Sequence, residues 1–199
     1  MLYLYMKGDG VAEEDGRNYS EKLMRLGFWR EYGIRLQDLR IARGEMGKPF
    51  ALDYPRIHFN ISHCAGCAAL IFGDVDVGVD VERIRAHRVA ARRYLSGDEL
   101  RFLSEHGYAD EIFFKFWSLK ESYGKAVGTG IFPGLKRLTF TLEGEGAHLV
   151  ADTHAQFCIV PSQRNIVAVA CRLTDRNSSA TWSPHLVDVT EEMLKTVPL

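Results

Sequence analysis

Val75-Asp76-Val77-Gly78-Val79-Asp80-Val81-Glu82 is the stretch on which the reading of the fold turns. Valine at every second position is the period of a β-strand, whose successive side chains point to opposite faces. The four valines predict one face packed in a core. Asp76, Gly78, Asp80 and Glu82 then share the other face, where Asp80 and Glu82 stand about 7 Å apart along the backbone.

Working outward from this strand, apolar runs at Ile57–Ile61 and Ala68–Phe72 predict two more strands, the second closing at the turn Gly73-Asp74. Leu39–Ala42 reads as a strand before a turn at Gly44–Pro49, and Leu2–Met6 as the first strand, followed by a polar loop from Lys7 to Gly16. Between them, Leu23, Leu26 and Trp29 or Arg30 recur at helical spacing, which predicts a helix over Tyr19–Tyr32 ending at Gly33. Downstream, Ser96 and Glu99 form a capping box for a helix reaching about Glu105. A longer helix spans about Asp110–Val127, with Ile112, Phe113, Phe116, Trp117 and Tyr123 as its apolar stripe and Gly128 as its stop. Leu138–Leu142, His148–Ala151, Gln156–Val160 and Ile166–Leu173 read as antiparallel strands, and Thr190–Lys195 as a short closing helix.

Each side of the valine strand thus repeats one order: strand, helix, then a small antiparallel set. The expected fold is α+β, with two similar α/β halves related by a pseudo-twofold and each small sheet packed on helices. The seam falls near residues 73–77, giving an N-terminal half at 1–76 and a C-terminal half at 77–199.

Composition narrows the function classes. With 25 basic and 26 acidic side chains and a formal net charge of −1, the chain carries no field that would draw it to nucleic acid. No apolar run approaches the roughly 20 residues that span a bilayer, and the start MLYLYMKGDG has no basic region ahead of a long apolar stretch. The expected location is the cytoplasm. Cys64 and Cys67 form a C-x-x-C, but Cys158 and Cys171 are too far apart in sequence to supply a second zinc-binding pair. On one strand the odd offset would also send Cys64 and Cys67 to opposite faces, so the four thiols are expected to be buried and reduced.

Asp80 and Glu82 on one strand face suit a single hard cation, and magnesium uses few carboxylates together with water and substrate phosphate. Glu121, inside Phe116-Trp117-Ser118-Leu119-Lys120-Glu121-Ser122-Tyr123-Gly124-Lys125 on the long helix, is the candidate third carboxylate. Glu121 and Lys125 share a helix face at i and i+4. Taken singly, the acidic strand reads as a wet edge and the Glu–Lys pair as a surface ion pair. In tandem, ahead of the Gly128-Thr129-Gly130 turn, they are far more specific.

These stretches, together with Gly47-Lys48-Pro49 and Phe59-Asn60-Ile61-Ser62-His63, resemble the 4′-phosphopantetheinyl transferase family, specifically its two-halved Sfp type. The resemblance runs from about Arg17 to about Leu173. It implies coenzyme A bound as substrate in a cleft between the halves, with Lys48, Ser62, His63 and, by a weaker match, Arg17 on the phosphates. It further implies Asp80, Glu82 and Glu121 as ligands of Mg²⁺ (or Mn²⁺), with Lys125 and Lys120 balancing charge beside the catalytic Glu121. The partner would be an acyl or peptidyl carrier protein whose serine takes the 4′-phosphopantetheine arm and releases 3′,5′-adenosine bisphosphate. The short stretch before the first helix departs from the longer basic arm of Sfp-type relatives and bears on affinity for coenzyme A. A monomer is expected, since one chain supplies both halves. Two other readings remain open: a metal-dependent phosphodiesterase that shares only the acidic strand, and a non-catalytic module that binds coenzyme A or carrier domains.

Overall fold

A computed structural model describes residues 1–7, 16–87, 90–130, 133–144, 146–152, 154–163, 165–174 and 182–197. Most of the polar loop expected between Lys7 and Gly16 lies outside them. The elements run β1 (Leu2–Met6), α1 (Gly16–Tyr32), β2 (Ile41–Arg43), β3 (Pro49–Ala51), β4 (His58–Cys64), β5 (Cys67–Gly73) and β6 (Val77–Arg83). After these come α2 (Ala91–Tyr94), α3 (Gly97–Glu105), α4 (Asp110–Val127), β7 (Phe140–Glu143), β8 (Gly146–Leu149), β9 (Ala155–Gln163), β10 (Ile166–Leu173), β11 (Leu186–Val189) and α5 (Glu191–Lys195).

Two sheets form the centre, one in the order β11-β1-β5-β4 and the other β6-β10-β9, with β2-β3 and β7-β8 as separate hairpins. Three apolar clusters explain how they stack. Leu2, Leu4 and Ile71 of the first sheet meet Val77, Val79, Val81, Ile166 and Ala168 of the second, so the two sheets share one buried layer. On the outer face of the first sheet, Tyr3, Tyr5, Leu70 and Phe72 pack against Leu23, Leu26 and Phe28 of α1. On the outer face of the second, Val167, Val169 and Cys171 pack against Phe116 and Leu119 of α4. The layers therefore run helix, sheet, sheet, helix. The period-two rule accounts for the whole stack, because each strand sends alternate residues to the shared layer and to its own helix.

Several expectations shift in detail. Helix α1 presents Phe28, fully buried, where Trp29 or Arg30 was expected; Trp29 is 40% exposed. The cause is Gly27, whose missing Cβ would lie 2.6 Å from Leu70 Cδ2, so the helix sits close on the sheet there. Phe28 then meets Phe59 and Phe72 edge-on at centroid distances of 5.1 and 5.0 Å. Strand β8 lies two residues earlier than the expected His148–Ala151. Cys64 and Cys67 do not share a strand: they end β4 and begin β5 and are directly paired, with Ala65-Gly66 as the turn and Gly66 at φ +69°. All four thiols are free, and Cys67 and Cys171 are buried.

The first sheet also holds a strand from far along the chain. β11 runs parallel to β1, pairing Leu2 with Leu186 and Tyr5 with Val189. Val189 joins the α1 cluster, with Val187, Met193 and Leu194 packed against it. Residues 186–194 thus complete the sheet β11-β1-β5-β4 and its packing on α1.

Candidate active site

Helix α4 lies directly on β6, and a glycine sets the separation. A Cβ on Gly78 would stand 2.0 Å from the Ser122 carbonyl oxygen and 2.5 Å from the Ala126 nitrogen. No side chain fits at that position, so helix and strand run in backbone contact. The polar face of β6 is accordingly no wet edge: Asp80 is 3% exposed and Glu121 6%. Successive turns of α4 then face successive outward residues of β6. Ser122 and Ala126 lie over Gly78, Lys125 reaches Asp80, and Trp117 reaches Glu82.

The centre of the site is a compact polar knot. Lys125 Nζ donates to Asp80 Oδ1 at 2.7 Å and to Ser62 Oγ at 2.9 Å, and the Ser62 hydroxyl donates to Asp80 Oδ1 at 3.1 Å. Ser62 comes from β4, the edge of the first sheet, while Asp80 comes from β6, the edge of the second. The knot sits where the two edges meet under α4. Two backbone donors cross the same seam: Val79 N–H to Asn60 Oδ1 at 3.0 Å, and Val81 N–H to Ser62 Oγ at 3.4 Å.

Two carboxylate oxygens in the knot are buried without a partner, Asp80 Oδ2 and Glu121 Oε1. Burial pushes the Glu121 carboxyl up to about 7, with the charge of Asp80 adding to the rise, Lys125 opposing it and Glu82 adding again. An unpartnered buried oxygen costs about 1–3 kcal/mol, so two of them together are evidence of a ligand-shaped need. Their chemistry fits a hard divalent cation, which takes oxygen donors and carries the charge this cluster lacks. The fit is at Asp80 and Glu121. Glu82 is turned aside, accepting from Trp117 Nε1 at 3.0 Å and from Arg85 at 3.0 Å. Among the described residues, no three metal-ligating side chains converge closely enough to hold an ion. The Lys125 ammonium meanwhile neutralises Asp80.

The other sequence-derived residues fall in three places. Lys120 is not in the knot. Its ammonium is fully buried, pairs with Glu99 at 2.8 Å and donates to the carbonyls of Leu135 and Leu138. The physical reason is the helix itself, since adjacent residues point about 100° apart and Lys120 faces α3 while Glu121 faces β6. Glu99 does more than cap, because besides Ser96 N–H it also accepts from Phe140 N–H. Lys48 crosses from the β2-β3 hairpin to the end of α4, donating to Asp76 Oδ1 and to the Ala126 carbonyl, each at 2.6 Å. His63 is exposed and, as the neighbour of Ser62 on β4, belongs to that strand's opposite face. Arg17 is exposed in the first turn of α1.

Sequence reasoning missed Asn60, the second task of Glu99, and the reason for Gly78. The glycine was legible in principle: in a strand of alternating valines and acids, it is the one position that lets another backbone approach.

The scaffold is a mixed α/β fold bearing an acidic site closed by a lysine. Comparison with known proteins gives the class: residues 76–171 match the family model described as the 4′-phosphopantetheinyl transferase superfamily. The chain is 34% identical over 133 residues to the 4′-phosphopantetheinyl transferase psf-1 of Bacillus pumilus, covering 65% of this chain and 57% of that one. It is 31% identical over 120 residues to the 4′-phosphopantetheinyl transferase Sfp of Bacillus subtilis (strain 168), covering 59% and 54%. Among solved structures, the holo-[acyl-carrier-protein] synthase of Thermotoga maritima is similar over 51% of this chain and 64% of that one, at 24% identity and a TM-score of 0.45. The chain spans about half the length of the curated relatives it matches. Residues 76–171 thus carry the match to the 4′-phosphopantetheinyl transferase superfamily, and the similar proteins include the Sfp type.

Proposed function

We propose that this chain transfers the 4′-phosphopantetheine arm of coenzyme A to a serine of an acyl or peptidyl carrier protein, releasing 3′,5′-adenosine bisphosphate. The observation that carries the reading is the buried Asp80–Glu121–Lys125 knot with its two unpartnered oxygens. The family match supplies the reaction class, as the names of the similar proteins are those of phosphopantetheinyl transferases.

Asp80 and Glu121 would hold Mg²⁺, or Mn²⁺ in its place, with Glu82 joining once released from Trp117 and Arg85. Such an ion supplies charge neutralisation of a diphosphate. The chain's own residues do the rest. Lys125 places a positive charge beside the transferred phosphoryl group, the electrostatic part of such a reaction. A carboxylate such as Glu121 would take the serine proton as the new O–P bond forms and the bond to the adenosine bisphosphate breaks. Lys48, His63 and Arg17 would bind the nucleotide phosphates, and Ser62 would turn from Asp80 toward them. Lys120 would act through the placement of α4 rather than on substrate.

The pseudo-twofold relation of the halves belongs to the same proposal. It is supported by the matching strand orders β1-β5-β4 and β6-β10-β9. The coenzyme A cleft would open where the β4 and β6 edges meet. With all these groups on one chain, the working form would be a monomer in the cytoplasm; no helix among the described residues is long and apolar enough to cross a membrane.

Intact-mass analysis of apo carrier proteins incubated with the protein, coenzyme A and Mg²⁺ is the test. The carrier should gain the mass of one phosphopantetheine arm, and Asp80→Ala or Glu121→Ala should abolish that gain while the protein stays folded. Hydrolysis of coenzyme A that ignores the carrier would favour a phosphodiesterase. Binding of either partner without any mass gain would favour a non-catalytic module.

A further inference from the structure

β4 and β6 edge two different sheets, yet β6 does not leave its outward amides open. Val79 N–H donates to Asn60 Oδ1 and Val81 N–H to Ser62 Oγ. Acceptors two residues apart on one strand thus meet donors two residues apart on the other, which requires β4 and β6 to run parallel in matched register. Asn60 is 3% exposed and Ser62 6%, so neither bond is exchanged with water. Side chains here take the place of a backbone ladder. They also hold the strands further apart than the roughly 4.8 Å of a ladder, because an asparagine side chain spans part of the gap.

Asp80 is the residue between the two anchored amides. Its carboxylate direction depends on how the backbone runs from the peptide plane 78–79 to the plane 80–81; Asn60 holds the first through Val79 N–H and Ser62 the second through Val81 N–H. On its far side the strand is fixed by the β10 ladder, which pairs Asp80 with Val169. We propose that Asn60 is a positioning residue of the site: its amide oxygen splices β6 to β4 and so aims the Asp80 carboxylate at the cation. The inference deepens the transferase reading and rests on it for the cation, but not for the splice. Ser62 is bonded directly to Asp80 and Lys125, whereas Asn60 reaches the site only through the backbone of β6. That difference makes Asn60 the cleaner probe.

Three measurements on the whole chain test this. Asn60→Leu keeps the size of the side chain and deletes the acceptor, while Asn60→Asp keeps an acceptor oxygen. In metal-free wild-type protein, amide exchange followed by NMR should find Val79 protected like an interior strand residue. In Asn60→Leu, exchange at Val79 should quicken by at least roughly tenfold with the β10 amides unchanged, and Asn60→Asp should retain protection. Mn²⁺ affinity, titrated by electron paramagnetic resonance without coenzyme A or carrier, should weaken about ten- to hundredfold in Asn60→Leu, as it does when a metal ligand loses its outer support. The KM for coenzyme A at saturating metal should not move. The proposal is overturned if wild-type Val79 exchanges at the rate of an open loop, a result that needs no variant to fold. It is equally overturned if Asn60→Leu keeps the Val79 protection or the wild-type Mn²⁺ affinity, or if Asn60→Asp loses protection as the leucine variant does. A wild-type protein that binds no Mn²⁺, or arms no carrier, counts against the transferase reading alone and leaves the exchange data to decide the splice.

Discussion

Helix α4 sends two lysines to carboxylates on other elements, and one of these pairs is built to be complete while the other is left open. Lys120 and Glu99 are both fully buried, 2.8 Å apart. Every demand there is met: Lys120 also donates to Leu135 and Leu138 carbonyls, and Glu99 also accepts from Ser96 and Phe140. Lys125 and Asp80 are as close, at 2.7 Å, yet beside them Asp80 Oδ2 and Glu121 Oε1 have no partner. A saturated buried network ties elements together, here α3, α4 and the start of β7. An unsaturated one keeps bonding capacity for something else. Five residues along one helix separate scaffold from chemistry.

Breaking the closed pair should give the largest effect. Lys120→Met strands a buried Glu99 carboxylate and should cost about 3–5 kcal/mol in urea unfolding, whereas Lys120→Met combined with Glu99→Leu should recover much of that loss. A double variant no more stable than the single one would show that the pair is not a unit.

The open pair should respond in the opposite sense. The folded Glu121 carboxyl, at about 7, stands above its ordinary value of 4.5, so the folded state holds the extra proton. Stability from this group is therefore present at low pH, declines as pH rises from 4.5 to about 7, and stays lost above that. Glu121→Gln should then stabilise the metal-free protein by about 2–3 kcal/mol at pH 8 and hardly at all at pH 4.5. Mg²⁺ should raise the wild-type Tm more at pH 8 than at pH 5. Equal gains at both pH values would remove the claim that the ionised carboxylate is the strained species.

Gly78→Ala would blur the comparison by lifting the whole helix. The added Cβ meets backbone atoms of Ser122 and Ala126, which cannot rotate away. A loss of about 1–3 kcal/mol in chemical unfolding, with a fall in Mn²⁺ affinity, is expected. The smallest effect belongs to Lys48→Ala. Its pair with Asp76 is partly exposed and should contribute under about 1 kcal/mol. In the transfer assay the change should appear mainly as a raised KM for coenzyme A, since ground-state binding is lost there.

Much of this was legible in the sequence because it follows from period and capping. The β6 alternation, the Ser96–Glu99 box and the helix carrying Glu121 and Lys125 all stand where the pattern puts them. What escaped depends on partners distant in sequence. Nothing local tells that Lys120 would find Glu99 while its neighbour Glu121 turned to β6, because Glu99 and β6 both lie on other elements far back in the sequence. The Cys64–Cys67 pairing was hidden because the two expected strands stopped at Ile61 and began at Ala68, which left out the ends that meet at the two-residue turn allowed by Gly66. Asn60 was invisible for a related reason: an asparagine in an apolar strand shows its use only when the other edge is in view.

Strand β11 carries a consequence for how the molecule is made. β1 has β5 on one side and β11 on the other, and β11 is encoded more than a hundred residues after β5. During synthesis the first sheet can assemble from β1, β4 and β5, but β1 then shows a bare row of amides and carbonyls until residues 186–189 emerge. A nascent chain with such an open edge is vulnerable to pairing with its neighbours. A truncation that spares every residue of the site yet removes β11 should therefore reveal itself as aggregation long before it reveals itself as lost chemistry.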